Sequence, residues 1–317
     1  MLATIVGCLL PIVVTLLLGY IAGWHRDFDA NQATVLNRMV MLYALPMLLF
    51  AGMVSITRDQ LTADVPLAAA LLIGILGTFI AAVAIVYFLC GRDLSLSALR
   101  AMAITSPAVP FVGIPVLGYL FGPHSTIPVV FSALVINGMQ TPLCMVLLSI
   151  GAAKKGAAAA PKSIRSVFAP IISALREPVI WAPLSALIVV LVGIRIPVPI
   201  RHSLGLLGNA TGGVALFASG VILYTRRMSL NIPVVVSTFV RNIVIPGGIW
   251  AAAVMLGLPL EVRQTAVLTL AIPTGSICVI LAVQYQTAEQ EMASTLFLST
   301  ISSVVTLGGF IWLTGAQ

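Results

Sequence analysis

The sequence predicts an all-α membrane protein whose ten transmembrane helices form two inverted five-helix repeats, with helices 4 and 9 broken and crossing. Three observations predict this fold. Of the 317 residues, 60% are hydrophobic and only 8% are charged, whereas soluble domains carry roughly 25% charged residues. Apolar windows of membrane length follow one another along the chain. Two of these windows, at corresponding positions of the two halves, contain prolines near their middle.

The apolar windows justify the predicted helices in order. They cover approximately residues 2–23, 34–56, 65–90, 97–121, 126–150, 177–194, 203–224, 232–257, 263–286 and 291–315. The first window begins at Leu2 without a basic lead or a cleavage pattern, so we expect a span and not a removed signal. The predicted organisation is a first repeat at 1–150, a linker at 151–176 and a second repeat at 177–317. In the linker, a Gly/Ala-rich stretch precedes an apolar periodicity typical of an interfacial helix.

Basic residues predict the orientation of the spans. With the N-terminus outside, eleven of the sixteen Lys and Arg residues lie on the inner side, four lie on the outer side, and Arg241 lies within span eight. Because positive charge is enriched on the cytoplasmic side, we expect both termini outside a cell inner (cytoplasmic) membrane and the linker inside. Five spans per half is an odd number, so the second half enters the membrane in the opposite direction. Pro66 and Pro233, which open spans three and eight, fit this duplication.

The two broken segments are residues 100–115 and 263–276. They align when one is shifted by 163 residues, which pairs Pro110 with Pro273. Proline lacks the backbone N–H and interrupts the helix one turn earlier, so each break frees backbone polar groups. Inside a bilayer such groups need protein or a wet cavity around them. Paired interrupted helices in the two halves are the best sequence indication of a secondary transporter's binding site.

Four short motifs carry a family likeness: residues 43–50 and 209–220, Gly113-Ile-Pro115, and Ala271-Ile-Pro273-Thr274. Together with the five-plus-five layout, they resemble the auxin efflux carrier family of membrane transporters. The resemblance implies a fold similar to that of sodium–bile acid symporters, in which a moving part carries the crossed broken helices. It also implies a carboxylate substrate, because plant members export auxin and bacterial members include malonate transporters. One departure is Ala108-Val109-Pro110, where many relatives carry Asn-x-Gly, so an amide contact is missing there.

A buried carboxylate needs backbone N–H groups, a helix N-terminus or a fixed cation around it. Half-helices that begin after Pro110 or Pro115 and after Pro273 would offer such N–H groups. The predicted substrate-binding residues are Pro110, Gly113, Pro115, Asn137, Arg241, Pro273, Thr274, Gly275 and Ser276. For Arg241, two roles are open: direct contact with the substrate, or support of the free carbonyls of a broken helix.

Neutral polar residues within the spans are candidates for ion binding or for support of the site. They are Thr105, Ser106, Gln140, Asn209, Asn242 and Gln284. Each is equally compatible with a hydrogen bond that holds two helices together, a contribution of about 1 kcal/mol.

The placement of ionisable residues limits the coupling chemistry. Every Asp, Glu and His falls in a loop or at the end of a span, so no buried proton relay is visible. A sodium ion held by hydroxyl, amide and carbonyl oxygens and a proton both stay open as coupling ions. No cofactor is predicted, and the four cysteines lie in apolar stretches as packing residues. The chain carries no phosphate-binding loop, so it does not itself encode an ATP drive.

These features predict a secondary transporter that moves a small organic anion, a mono- or dicarboxylate such as malonate, by elevator-like alternating access at the crossing. The alternatives are a sodium-coupled symporter for bile-acid-like or other amphipathic solutes and, further behind, a channel. An enzyme is not expected, because no catalytic constellation occurs at matching depth. The expected partners are the substrate and the lipid bilayer but no nucleic acid, and a homodimer is one further assembly to consider.

Overall fold

Helices form every regular element of the described chain, as expected when backbone polar groups must find partners within an apolar sequence. The computed structural model describes residues 2–58, 64–89, 91–154, 176–194, 196–225 and 229–316. Within these ranges the extended pairing is limited to one isolated antiparallel bridge, between Pro107 and Thr274. Most of the predicted linker with its interfacial helix, residues 155–175, lies outside the described residues.

The helices of the first half follow the predicted spans, with several spans divided in two. They are α1 (Leu2–Trp24), α2 (Ala30–Met39), α3 (Leu45–Met53), α4 (Val65–Leu72), α5 (Thr78–Leu89), α6 (Leu94–Thr105), α7 (Ile114–Phe121), α8 (Thr126–Val135) and α9 (Thr141–Lys154). Local capping chemistry begins two of them. Asp29 forms a capping box with Gln32 at the start of α2, and Asp93 accepts a hydrogen bond from the Leu96 N–H at the start of α6.

The second half repeats this pattern of divided spans. Its helices are α10 (Pro178–Val192), α11 (Val198–Gly208), α12 (Ala210–Thr225), α13 (Ile232–Phe239), α14 (Ile245–Met255), α15 (Leu260–Leu270), α16 (Ile277–Gln284) and α17 (Glu289–Thr314). Asn231 caps α13 by accepting from the Val234 N–H.

Length and composition mark the chain as a multi-pass membrane protein. Six helical stretches of the described residues are long and apolar enough to cross a bilayer: Ala30–Met53, Val65–Leu89, Val109–Ala152, Val198–Tyr224, Ile232–Met255 and Glu289–Thr314. Shorter apolar helices cover Leu10–Trp24, Leu94–Thr105 and Pro178–Val192. An all-helical membrane protein is therefore confirmed, while the count of ten crossings stays a prediction.

Wide π-helical turns join helices end to end inside several spans. They cover Val40–Ala44, Ile73–Gly77, Val109–Gly113, Ile136–Gln140 and Val240–Val244. In four of the five, a proline follows two residues after the wide turn; these prolines are Pro46, Pro115, Pro142 and Pro246. A proline ring clashes with the carbonyl four residues earlier, and that carbonyl lies inside the wide turn each time. The widened turn thus accommodates the proline without ending the span.

Close helix packing on one side of the molecule depends on two glycines. Helix α1 packs along α12, and α10 packs along α3. Where α1 packs against α12, a Cβ atom on Gly19 would overlap the carbonyl oxygen of Phe217. A Cβ atom on Gly220 would overlap the carbonyl oxygen of Leu16. Since backbone atoms cannot rotate away, these glycines allow the two helix axes to approach as small residues do in membrane helix pairs.

Element boundaries in the two halves match at a constant spacing. Helix α4, the following wide turn and the start of α5 begin at Val65, Ile73 and Thr78. Helix α13, its wide turn and α14 begin 167 residues later in each case. This spacing agrees with the predicted Pro66–Pro233 pair. It differs from the 163-residue register of the broken segments by four residues, about one helical turn, so the structure does not reproduce the pairing of Pro110 with Pro273.

Candidate functional site

The two broken segments meet through their backbones. Helix α6 ends at Thr105 and is followed by the extended residue Ser106. Helix α15 ends at Leu270, and residues 271–276 are non-helical. The N–H of Ala108 donates to the carbonyl of Pro273 at 2.9 Å, and the N–H of Gly275 donates to the carbonyl of Ser106 at 2.8 Å. Each break therefore satisfies backbone groups that the other break exposes.

These two hydrogen bonds are counterparts of each other. Residues Ser106 and Pro273 are 167 positions apart, and so are Ala108 and Gly275. If each residue of one bond is replaced by the residue 167 positions away in the other half, the first bond becomes the second. The bridge between Pro107 and Thr274 joins a third such pair, so the crossing has the local geometry of a two-fold axis.

The carboxyl ends of the two half-helices share one buried cation. Arg241, in the wide turn of span eight, is 0% exposed. Its Nη1 donates to the carbonyl of Ile104 at 3.4 Å, and its Nη2 donates to the carbonyl of Ile272. Ile104 lies in the last turn of α6, and Ile272 lies two residues beyond the end of α15. Both carbonyls are therefore next to a helix C-terminus, where a helix carries partial negative charge. The described salt bridge of the protein is Arg100–Glu291, so carbonyl dipoles and not a carboxylate face the Arg241 guanidinium.

The start of α16, the half-helix that continues the second break, borders a cavity instead. Helix α16 begins directly after Ser276, whose side chain forms no cap, and the N–H groups of a first helical turn have no acceptor within their own helix. Thr274 and Ser276 both line the cavity, and Ala108 lines it from the first break. A helix start of this kind attracts negative charge.

The cavity is about 820 Å³, including the space at its mouth. One wall comes from α1, α2 and α12, and the other comes from the crossing and from α17. Most of the lining is apolar and includes Phe111 and Phe297, and none of the lining residues is Lys, Arg, His, Asp or Glu. Four polar lining residues were not among the predicted site residues: Asn37, Ser219, Ser294 and Thr300. Their only sequence signal is that each is a polar residue inside an apolar stretch.

A hydrogen-bond network fixes the second break to α17. The N–H of Thr274 donates to Ser299 Oγ at 3.0 Å, and Ser299 Oγ donates to Asn242 Oδ1 at 2.7 Å. Asn242 Nδ2 in turn donates to the Ser299 carbonyl at 2.8 Å and to Ser302 Oγ at 2.9 Å. Asn242, predicted as a supporting residue, therefore reaches the cavity residue Thr274 through one serine.

Other predicted polar residues lie behind the crossing. Gln140 Nε2 donates to Thr105 Oγ1 at 2.8 Å. The Gln140 Oε1 and Ser106 Oγ atoms are buried without a hydrogen-bond partner. Asn137 donates to the Ala133 carbonyl of its own helix at 2.9 Å. None of these four side chains lines the cavity.

The remaining predicted residues do not line this cavity. A Cβ atom on Gly113 would come within 2.7 Å of Ile272 Cδ1, so this glycine makes room for the other break and not for a ligand. Pro110 lies within the wide turn Val109–Gly113, and Pro115 lies in the first turn of α7. Neither proline lines the cavity. Asn209 is exposed at the end of α11, and Gln284 is exposed at the end of α16.

A second cavity lies at the other end of the molecule, since Ala316, beyond the end of α17, lines it. It holds Asp64, His124 and Glu261. Burial raises the pKa of the Asp64 carboxyl, His124 lowers it, and Glu261 raises it again. Asp64 and Glu261 thus lie at the opposite end of α17 from the first cavity.

An apolar, multi-pass helical protein with two interrupted helices that meet beside a cavity belongs to the class of membrane transporters. The chain matches the family profile described as "Membrane transport protein" over residues 4–311. It therefore belongs to this family, the auxin efflux carrier family, and the predicted resemblance is confirmed.

Three curated relatives are similar over nearly their whole length. The chain is 30% identical over 315 residues to "Uncharacterized transporter YfdV" of Escherichia coli strain K12, which covers 99% of this chain and 98% of the relative. The protein of the same name from Shigella flexneri gives the same values. The chain is 25% identical over 323 residues to "Putative malonate transporter" of Rhizobium meliloti strain 1021, covering 98% of this chain and 96% of that protein.

Proposed function

We propose that this protein is a secondary transporter that carries a small organic anion across the inner membrane by alternating access. One observation carries the proposal: the start of α16 and the residues Thr274 and Ser276 face a cavity directly beside a backbone crossing of two broken helices. Family membership supports the transporter class, and the name of the Rhizobium relative supports a carboxylate.

The electrostatics of the crossing favour an anionic ligand. The free N–H groups at the start of α16 supply hydrogen-bond donors without a positively charged side chain in the cavity. Arg241 places a full positive charge behind the crossing, and carbonyl dipoles offset this charge only partly. A carboxylate bound at the start of α16 would neutralise the positive charge of Arg241 that the carbonyl dipoles leave uncompensated.

The lining favours one charged group per substrate molecule. The predicted anion position lies at one wall, and the rest of the cavity is largely apolar. A second carboxylate would lose its hydration without a cation to replace it. Among carboxylates we therefore expect a monocarboxylate with an apolar body to bind more tightly than malonate. The same apolar lining favours, as a second candidate, another amphipathic organic solute.

The proposed mechanism uses two inverted repeats of five spans, with residues 1–150 and 177–317 as the repeats. The spacing of 167 residues supports this duplication, because the helix boundaries and the bridge between Pro107 and Thr274 share it. In the proposed motion, the spans within 65–154 and 229–316 slide against those within 2–56 and 177–224. The predicted orientation, with both termini outside and 151–176 cytoplasmic, makes the cavity at the start of α17 inward-facing.

Ligand-dependent melting of the purified protein tests the anion site. Monocarboxylates with an apolar body are expected to raise the melting temperature of the wild type, because they bind only the folded state. Pro273→Ala is expected to lose this shift, since a helix that continues through the break would bond the N–H groups that face the cavity. Pro197→Ala, at the start of α11 and outside the cavity, is the matched control and is expected to keep it. An equal shift in all three proteins would contradict the proposed site.

A further inference from the structure

The Arg241 guanidinium lies where the carboxyl ends of two half-helices converge. In transporters built from inverted repeats, N-terminal ends of half-helices face the anionic substrate, while unwound carbonyls and C-terminal half-helix ends bind the coupling cation. In this protein the carbonyl of Ile104, in the last turn of α6, and the carbonyl of Ile272, in the unwound segment after α15, accept hydrogen bonds from Arg241. A side-chain cation therefore occupies the kind of position that a coupling ion would take.

One arginine serves both half-helices. The residue 167 positions before Arg241 is Gly74, which has no side chain to offer to the crossing. A Cβ atom on Gly74 would overlap the Leu270 side chain at the end of α15. At this position the first half carries no side chain, and the Leu270 side chain of the second half fills the space beside Gly74. The single Arg241 guanidinium reaches a carbonyl from each half.

The guanidinium is also suited to this position by its shape and burial. Its planar fork can donate to two acceptors at once, and the side chain is fully buried. The wide turn that carries it also carries Asn242, which bonds to the Ser299 carbonyl and the Ser302 hydroxyl. Arg241 is thus held by a turn that is itself fixed to α17.

We propose that Arg241 is a tethered cation that takes the place of a coupling ion at the crossing, so that substrate binding and transport need no sodium. Arg241 is a positioning residue: it holds the carboxyl ends of both half-helices and supplies the positive charge behind the anion position without touching the substrate. The part that concerns transport rests on the proposed function. Without a coupling ion, a monoanion follows its own gradient and the membrane potential, which favours export from a cell that is negative inside.

Ion replacement and substitution of Arg241 test this proposal together. In wild-type proteoliposomes, carboxylate flux and affinity are expected to be the same in sodium, potassium and choline chloride. Arg241→Gln is expected to lower carboxylate affinity by about tenfold or more, because a buried and weakly screened positive charge behind the anion position is lost. Arg241→Lys is expected to retain part of the affinity because it keeps the charge. A sodium requirement in the wild type, or full affinity in a folded Arg241→Gln, would overturn the proposal.

The control is Arg58, which also donates to helix-end carbonyls, those of Val190 and Leu191, but is exposed. Arg58→Gln is expected to leave affinity and flux close to the wild type.

Melting temperatures separate a failure of this inference from a failure of the proposed function. The wild type is expected to melt at the same temperature in sodium and in choline chloride whatever its substrate is. Arg241→Gln is expected to melt lower than Arg58→Gln, because two buried carbonyls lose a charged donor. If no carboxylate is transported in any salt, the proposed function fails, while these melting temperatures still decide the role of Arg241. Stabilisation of the wild type by sodium would overturn that role.

Discussion

Gly220→Ala is expected to lower the free energy of unfolding by about 3 kcal/mol, a large effect for one methyl group. The new Cβ atom would overlap the Leu16 carbonyl and would lie 2.8 Å from the Tyr20 amide nitrogen. Both are backbone atoms of α1, so the two helices can relieve the overlap only by separating along their length. Thermal or denaturant unfolding in detergent measures the change.

Gly213→Ala is the matched control for this prediction, because Gly213 lies in the same helix, α12, and a Cβ atom there would meet no neighbouring atom within 4 Å. Its effect is expected to be neutral or slightly stabilising, up to about 1 kcal/mol, since alanine is the better helix former. Equal stability of the Gly220→Ala and Gly213→Ala proteins would contradict the close packing of α1 against α12.

Ser299→Ala is expected to lower substrate affinity and transport by about tenfold or more while the protein remains folded. The serine accepts from the Thr274 N–H and donates to Asn242, so its removal leaves two buried polar groups without partners. Each such group costs roughly 1–3 kcal/mol, and one of them orients the break that borders the cavity. The loss of affinity is measured from the melting-temperature shift that a stabilising carboxylate produces. The loss of transport is measured as isotope flux.

Ser303→Ala is the control for this variant. Ser303 is also buried in α17 but donates only to the Thr300 carbonyl of its own helix, so its removal leaves no group of the crossing unpaired. If Ser303→Ala and Ser299→Ala reduced affinity equally, the network between Asn242 and Thr274 would not be what positions the second break.

The breaks themselves were predictable from sequence, but the prolines within them gave the wrong register, while Pro66 and Pro233 gave the 167-residue spacing that the structure has. Proline marks where a helix cannot continue in its ordinary form, and both segments contain it. Four wide turns in this protein show that a proline two residues beyond such a turn stays within its span. Pro110 lies inside one of these turns, already past the contact between the halves. The pair that the structure brings together, Pro107 and Thr274, shares no residue type, so the side chains of the two breaks alone do not favour this register.

The role of Arg241 shows a second limit of sequence reasoning. Its depth in an apolar span predicted a functional or supporting role, but depth does not give direction. The side chain is directed at the carboxyl ends of α6 and α15, while the cavity borders the start of α16. Asn37 and Thr300 were missed for the opposite reason: a lone polar residue in an apolar helix resembles ordinary interhelical contact.

Trans-stimulated flux in proteoliposomes tests the central claim, alternating access of an organic anion at the crossing, most directly. A labelled monocarboxylate that stabilises the protein is placed outside, with either the unlabelled compound or buffer inside. Alternating access predicts saturable uptake that is accelerated by unlabelled substrate on the opposite side and is lost in Pro273→Ala. Uptake that does not saturate and does not respond to substrate on the opposite side would contradict a carrier and would favour a channel.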